Sequence, residues 1–152
     1  MTLMAYVSRI GADPAYLQRL GQALYNFTYL EWVVIWTIVK LSANGFAGVP
    51  PKATAKQLAN RLHDAIHGTS PPLASDLRRD LLRFHQSFHL ALRVRNKLLH
   101  AHPFTAAGGA PRLGGGGVEW TDDEIDGAAK TFEDTAIEGN AIFHGALAAA
   151  RP

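Results

Sequence analysis

Apolar residues recur along this chain at three- and four-residue steps, the period of helices that each bury one face. Asp13-Pro14 marks the first start, with Asp as the cap and Pro tolerated at the first helical position. From there Leu17, Leu20, Leu24, Phe27, Val34, Ile38 and Leu41 form one stripe, which predicts a long helix ending near Asn44-Gly45. After a turn at FAGVPPK, a shorter helix is expected from about Thr54 to His67, with Leu58, Leu62 and Ile66 as its apolar line. Gly68 to Pro72 breaks it. A third helix is expected from about Leu73 to His102, with Leu77, Leu81, Phe84, Phe88, Leu92 and Leu99 on one face. Residues 103–120 are rich in Gly and read as a mobile loop or a poorly ordered hairpin. Thr121 to Glu124 is a capping box that opens a last helix, buried through Ile125, Ala129, Phe132, Ala136, Phe143 and Leu147. No period-2 strand pattern and no internal repeat interrupts the series. The expectation is an all-α, up-and-down helical bundle of four main helices, in one domain over 1–152.

Composition narrows the function classes. A chain of 152 residues has room for one hydrophobic core. Its net charge of +2 and pI near 9.1 suit an anionic partner, but it has no Lys/Arg block of the kind a DNA-coating protein carries. The absence of Cys excludes disulfides, thiol nucleophiles and thiolate metal sites. MTLMAYVSR lacks the charged and apolar regions of a secretory signal, and the apolar run Trp32 to Val39 is too short to span a bilayer. A cytoplasmic protein without membrane contact is therefore expected.

The candidate chemistry lies on the third helix. Around its axis His85, His89, Arg93, Asn96 and His100 fall in one polar arc, at steps of four, four, three and four. Arg95 instead projects into the apolar stripe beside Phe88, Leu92 and Leu99, where an unpartnered guanidinium would be costly. On the first helix Glu31 interrupts the apolar line between Phe27 and Val34. Two opposite charges, each misplaced on its own seam, are most simply explained by facing each other or by sharing a semi-buried cleft. Either they form a fold-specifying ion pair, or the pair aims Arg95 at a bound phosphate. Within RVRNKLLHAHP, Arg95 and His100 are five residues apart, Asn96 follows the Arg and Pro103 closes the helix. An imidazole that moves a proton near neutral pH and a guanidinium that holds a phosphate can together act on RNA without a metal. The pairs His63/His67 and His85/His89 have the i, i+4 spacing of zinc ligands, but neither stands in H-E-x-x-H form. They read as solvated or hydrogen-bonded histidines, so no metal and no other cofactor is expected. Trp32, Trp36 and Trp120 read as core and bundle-end packing rather than base-stacking platforms.

These residues resemble the HEPN superfamily, helical domains of many prokaryotic defence and toxin–antitoxin ribonucleases. Their mark is R-x4-6-H near the end of a core helix, commonly with Asn, Asp or His after the Arg, and RNKLLH fits it. The surroundings fit as well: an apolar first helix with one embedded Glu (LGQALYNFTYLEWVV), and a capped last helix (EWTDDEI) after a variable loop. The resemblance implies metal-independent RNA cleavage to a 2',3'-cyclic phosphate, with Arg95, Asn96 and His100 as the catalytic group. Glu31, His89, Arg93 and His102 would support them. It further implies a homodimer lining one shared cleft and, in a toxin or phage-defence setting, an antitoxin or sensor protein as partner. Where one toxin subgroup has a Tyr that its antitoxin modifies, this chain has His102, so that form of control does not apply. Two other classes stay open: a catalytically inactive helical dimer that binds RNA, a nucleotide or a partner protein, and a bundle carrying a metal at its histidine pairs. The low net charge weighs against tight sequence-independent RNA binding.

Overall fold

The computed structural model describes residues 8–115 and 118–151. Helices α1 (Pro14–Leu41), α2 (Ala55–His67), α3 (Ser75–Leu99) and α4 (Asp122–Ile142) form an all-α bundle. Three of the four starts carry a side-chain cap. Asp13 accepts from the Ala15 N–H at 3.1 Å, Thr54 and Gln57 cap each other's backbone at α2, and Thr121 accepts from the Glu124 N–H at 3.2 Å. Asp122, Asp123 and Glu124 fill the first turn of α4, where negative charge suits the helix dipole. Beyond α4 the chain passes through a π-turn at Phe143–Leu147, kinked at Gly145, into a last helical turn at Ala148–Ala150.

Three aromatic rings hold the centre. Phe27 of α1 stacks near Phe88 of α3, with centroids 6.2 Å apart, and meets Phe132 of α4 edge-on at 5.1 Å. Ala23, Leu30, Val34, Ile38 and Leu41 extend this buried line along α1. Leu17 and Leu24, expected in the same stripe, are exposed instead. The reason is rotational: α1 packs most extensively on α4, so its buried face centres on Phe27, and Leu17 and Leu24 lie on a flank that none of the described residues covers. The same shift ends α3, where Leu98 is buried and Leu99 is 47% exposed. At Gly139 the helices close tightly, since a β-carbon there would fall 2.5 Å from the Phe84 ring and 2.8 Å from Val33 Cγ1. The tryptophans divide. Trp120 is buried as expected, but Trp32 and Trp36 are not core: they stand on the outer face of α1 beside Phe46, with Trp32 51% exposed.

Polar contacts give the helix directions. Arg19 pairs with Asp122 and Asp126, Asn26 donates to the Ala129 carbonyl at 3.1 Å, and Arg151 donates to the Leu41 carbonyl at 3.1 Å. The partners advance together, so α1 and α4 run the same way. Arg83 pairs with Glu138 at 2.9 Å, while Val94 and Lys97 share a hollow with Trp120 and Glu124, so α3 runs opposite to α4.

Of the two readings of the Gly-rich segment the hairpin is the nearer: its described residues form a small antiparallel sheet. Strands β1 (His102–Thr105), β2 (Pro111–Gly115) and β3 (Val118–Trp120) lie in the order β1-β2-β3, with His102 opposite Gly114 and Leu113 opposite Trp120. Glycine supports the sheet at two points: Gly109 turns the chain at φ +81°, and Gly114 leaves room for the Phe104 ring, which any β-carbon would strike at 2.7 Å. Tyr16 fastens the sheet to α1. Its buried hydroxyl donates to the Trp120 carbonyl at 2.7 Å and accepts from the Leu113 N–H at 2.9 Å, while the Arg112 guanidinium lies 4.6 Å from its ring centroid.

Tyr16→Phe strands a buried carbonyl and an N–H at once, and is expected to cost about 1–3 kcal/mol in urea unfolding. Faster amide exchange at Leu113 would locate the loss; an unchanged midpoint would show the clasp to be dispensable. Gly139→Ala should cost about 1–3 kcal/mol by overpacking against Phe84, and should be partly rescued by Phe84→Leu, a coupling that double-mutant unfolding measures.

Candidate active site

Arg95 sits on the last turns of α3, in line with the buried Phe88 and Leu92 below it. It is half-buried rather than sealed. Its guanidinium carbon lies 5.3 Å from the centroid of the Phe27 ring, and its Nη1 donates to Asn96 Oδ1 at 3.1 Å. One face of the cation thus rests on core aromatic and one N–H is spent within the helix, which leaves donors of the guanidinium fork for an anion. Among the described residues no carboxylate stands within ion-pairing distance of it, and its charge is felt by Glu31 of α1.

Glu31 is also half-buried, on α1 one turn beyond Phe27. Burial pushes its carboxyl above the ordinary 4.5, and the positive charge of Arg95 opposes that rise without cancelling it. The ion pair open from the sequence is not formed among the described residues: Glu31 is near enough to feel the charge of Arg95 without contacting it. Glu31 also borders an outer hollow with Tyr25, Tyr29 and Trp32.

α3 stops at Leu99, short of the expected His102. His100 is its C-cap, with its backbone N–H donating to the Asn96 carbonyl at 3.0 Å. The cause is Pro103, which lacks an N–H and disfavours helical backbone in the residue before it. His102 is therefore extended, exposed, and the first residue of β1. The His100 imidazole is in solvent, and among the described residues nothing hydrogen-bonds to it. The Asn96 side chain serves Arg95 and, among the described residues, makes no hydrogen bond to the His100 ring. Arg93 is exposed and, among the described residues, in no ion pair.

His89 belongs elsewhere. Its ring meets His85 edge-on at 4.7 Å, and His85 in turn lies 5.4 Å from His63 on α2. The polar arc on α3 thus splits into two histidines, His85 and His89, of which His85 meets α2, and a group near the C-terminal end of the helix, Arg93, Asn96 and His100, with Arg95 on the neighbouring buried face. Sequence reasoning missed Phe27 as the platform under Arg95, although Phe27 and Glu31 one turn apart on α1 were the available signal. In general a supported guanidinium can hold an anion such as phosphate, and a solvent-facing imidazole can accept or donate a proton.

A carboxyl held above its ordinary pKa takes up a proton on folding, so stability falls as pH rises above 4.5 through that window. Glu31→Gln should accordingly melt higher than the parent at about pH 7 and lose that advantage by about pH 4, where both are uncharged. Arg95→Ala should move the Glu31 titration, followed by carboxyl NMR, further upward; no movement would place the two charges out of reach of each other. Against known proteins, the chain matches no family model, and no curated protein or solved structure shows significant similarity to it.

Proposed function

We propose that this protein is a metal-independent endoribonuclease working through Arg95 and His100, in the manner of HEPN domains. One observation carries the reading: a guanidinium preset on Phe27 and Asn96 lies five residues before an imidazole left in solvent at the helix end. In the reaction His100 takes the proton of a ribose 2'-hydroxyl, and that oxygen bonds to the adjacent phosphorus. The bond from phosphorus to the 5'-oxygen breaks, giving a 2',3'-cyclic phosphate and a 5'-hydroxyl end that acquires a proton. Arg95 offsets the charge that builds on the phosphorane-like transition state, and Asn96 is a positioning residue that holds the fork.

Transfer to the leaving oxygen calls for an acid as well as a base, and each chain has one His100. A two-fold pairing of copies would bring two Arg95 and two His100 to one groove, with one imidazole as base and the other as acid. The uncovered Leu17 and Leu24 of α1 and Leu99 of α3 support such a pairing, since they are the apolar surface a partner copy would bury. A toxin or phage-defence role, with an antitoxin or sensor protein as regulator, follows from the same resemblance. Among the described residues no helix is long and apolar enough to cross a membrane.

Purified protein should cleave RNA in EDTA and leave 2',3'-cyclic phosphate ends. His100→Ala should lower the rate by about 10²–10⁴-fold with an unchanged melting temperature, because the imidazole contacts nothing that holds the fold. Full activity in that variant refutes the mechanism. RNA binding by the parent without cleavage selects the inactive binding dimer, and light scattering that finds a monomer removes the shared groove.

A further inference from the structure

Helix α1 is apolar on both sides. Its inner face gives Phe27, Leu30, Val34 and Ile38 to the core, yet its outer face carries Tyr25, Tyr29, Trp32 and Trp36, which are 37–69% exposed. Arg19, Glu31 and Lys40 are the only charged side chains in the 28 residues of the helix. Around its axis Arg19 and Glu31 fall outside the arc of the four rings, and Lys40 lies one turn beyond the last of them. A helix that is hydrophobic all round belongs in an interior. Among the described residues nothing encloses this side of α1.

The exposed patch is continuous. Trp32 meets Trp36 edge-on at 5.8 Å, Trp36 meets Phe46 at 4.9 Å, and Ile137 of α4 shares a hollow with Tyr25 and Tyr29. Two of its polar groups are already engaged within the protomer: Asn140 donates to the Tyr29 hydroxyl at 2.9 Å, and Thr28 donates to the Leu24 carbonyl at 3.0 Å. An aromatic side chain presents about 150–250 Å² when fully exposed, so the five rings and Ile137 leave on the order of 600 Å² in water. That is the upper end of what a monomer exposes in one patch, and most of the roughly 800 Å² that each partner covers in a stable interface.

The spacing narrows the occupant. Positions 25, 29, 32 and 36 advance by four, three and four, the seam of a helix packed lengthwise on another helix. Such spacing is the same in both directions. A second α1, laid antiparallel across a two-fold axis level with residues 30 and 31, puts its Trp36 opposite Tyr25 and its Trp32 opposite Tyr29. Every ring then meets a ring, and aromatic pairs attract beyond the area they bury. An identical copy brings no charge onto this seam, so no like charges meet there. Lys40 falls opposite Gly21, which has no side chain to obstruct its stem.

We propose that α1 pairs with α1 of a second copy, antiparallel and about a two-fold axis, through Tyr25, Tyr29, Trp32 and Trp36. The seam lies on the α4 side of α1, where Asn140 reaches Tyr29. Leu17 and Leu24 share a different flank with Glu31, at seven-residue steps, and Glu31 feels Arg95 of α3. The pairing is thus separate from the groove and does not rest on the RNA chemistry.

Light scattering of the full-length protein at about 100 μM should find a mass of at least two chains. Trp32→Glu and Tyr25→Glu should each lower it, to the monomer or, where the groove pairing also forms, to a dimer. Both side chains are exposed, so the helical circular dichroism should stay unchanged. Leu99→Glu addresses the groove instead and should leave the seam intact, so the two pairings fail separately. Because the chain has no Cys, disulfides can read the orientation. Tyr25→Cys mixed with Trp36→Cys should cross-link on mild oxidation. Tyr25→Cys alone should not, since its two copies stand about 16 Å apart along the helices. A monomeric parent overturns the self-pairing and leaves the face to a partner of another kind. A mass that neither glutamate lowers, or cross-linking of Tyr25→Cys with itself, overturns it as well.

Discussion

The ring of Phe27 joins the core to the candidate chemistry. Two of its contacts, with Phe88 and Phe132, tie α1 to α3 and α4, and the guanidinium of Arg95 rests against it as well. A cation on the ring of a core residue has a support that cannot drift, because moving the ring would open the packing of three helices. The position is also partly dry, so the attraction between cation and ring exceeds what an exposed pair would provide. Glu31, one turn further along α1, is half-buried as well and forms no ion pair with Arg95 among the described residues, so the guanidinium's remaining donors are not spent on it.

The end of α3 is fixed from a second direction. Pro103 stops helical growth and turns the chain into β1, and β2 and β3 return it to the base of α1, where Tyr16 holds both strands. His100 is therefore caught between a helix that has just ended and a sheet that is anchored elsewhere. Its backbone is determined while its side chain stands in solvent.

Much of this was legible in local sequence. Asp13, Thr54 and Thr121 cap helices wherever they precede an apolar period, so three helix starts follow from neighbours within four residues. Burial was less legible, because period alone shows that a face is apolar and not which neighbour covers it. Leu17, Leu24 and Leu99 continue their stripes yet lie outside, and Trp32 and Trp36 are large and apolar yet face outward. The sheet left almost no trace: HPFT and PRLGG lack alternation, and what orders them is a tyrosine hydroxyl about a hundred residues away in sequence. For the candidate site, two misplaced charges pointed to a shared cleft. They could not specify the separation, which depends on how far α1 and α3 rotate toward α4.

The Tyr16 clasp also determines where the chain can change length. Both of its hydrogen bonds act on one side of the sheet, at Leu113 and Trp120. The opposite end closes through a turn at residues 106–110 whose backbone hydrogen bonds are internal, Gly109 to Ala106 and Ala106 to Ala110. Residues added at Trp120 would displace the anchor and the start of α4 with it, whereas residues added at the turn would lengthen only β1 and β2 beyond their fixed ends. A segment inserted at this turn would be carried beyond the free ends of β1 and β2, without re-solving the packing of the bundle.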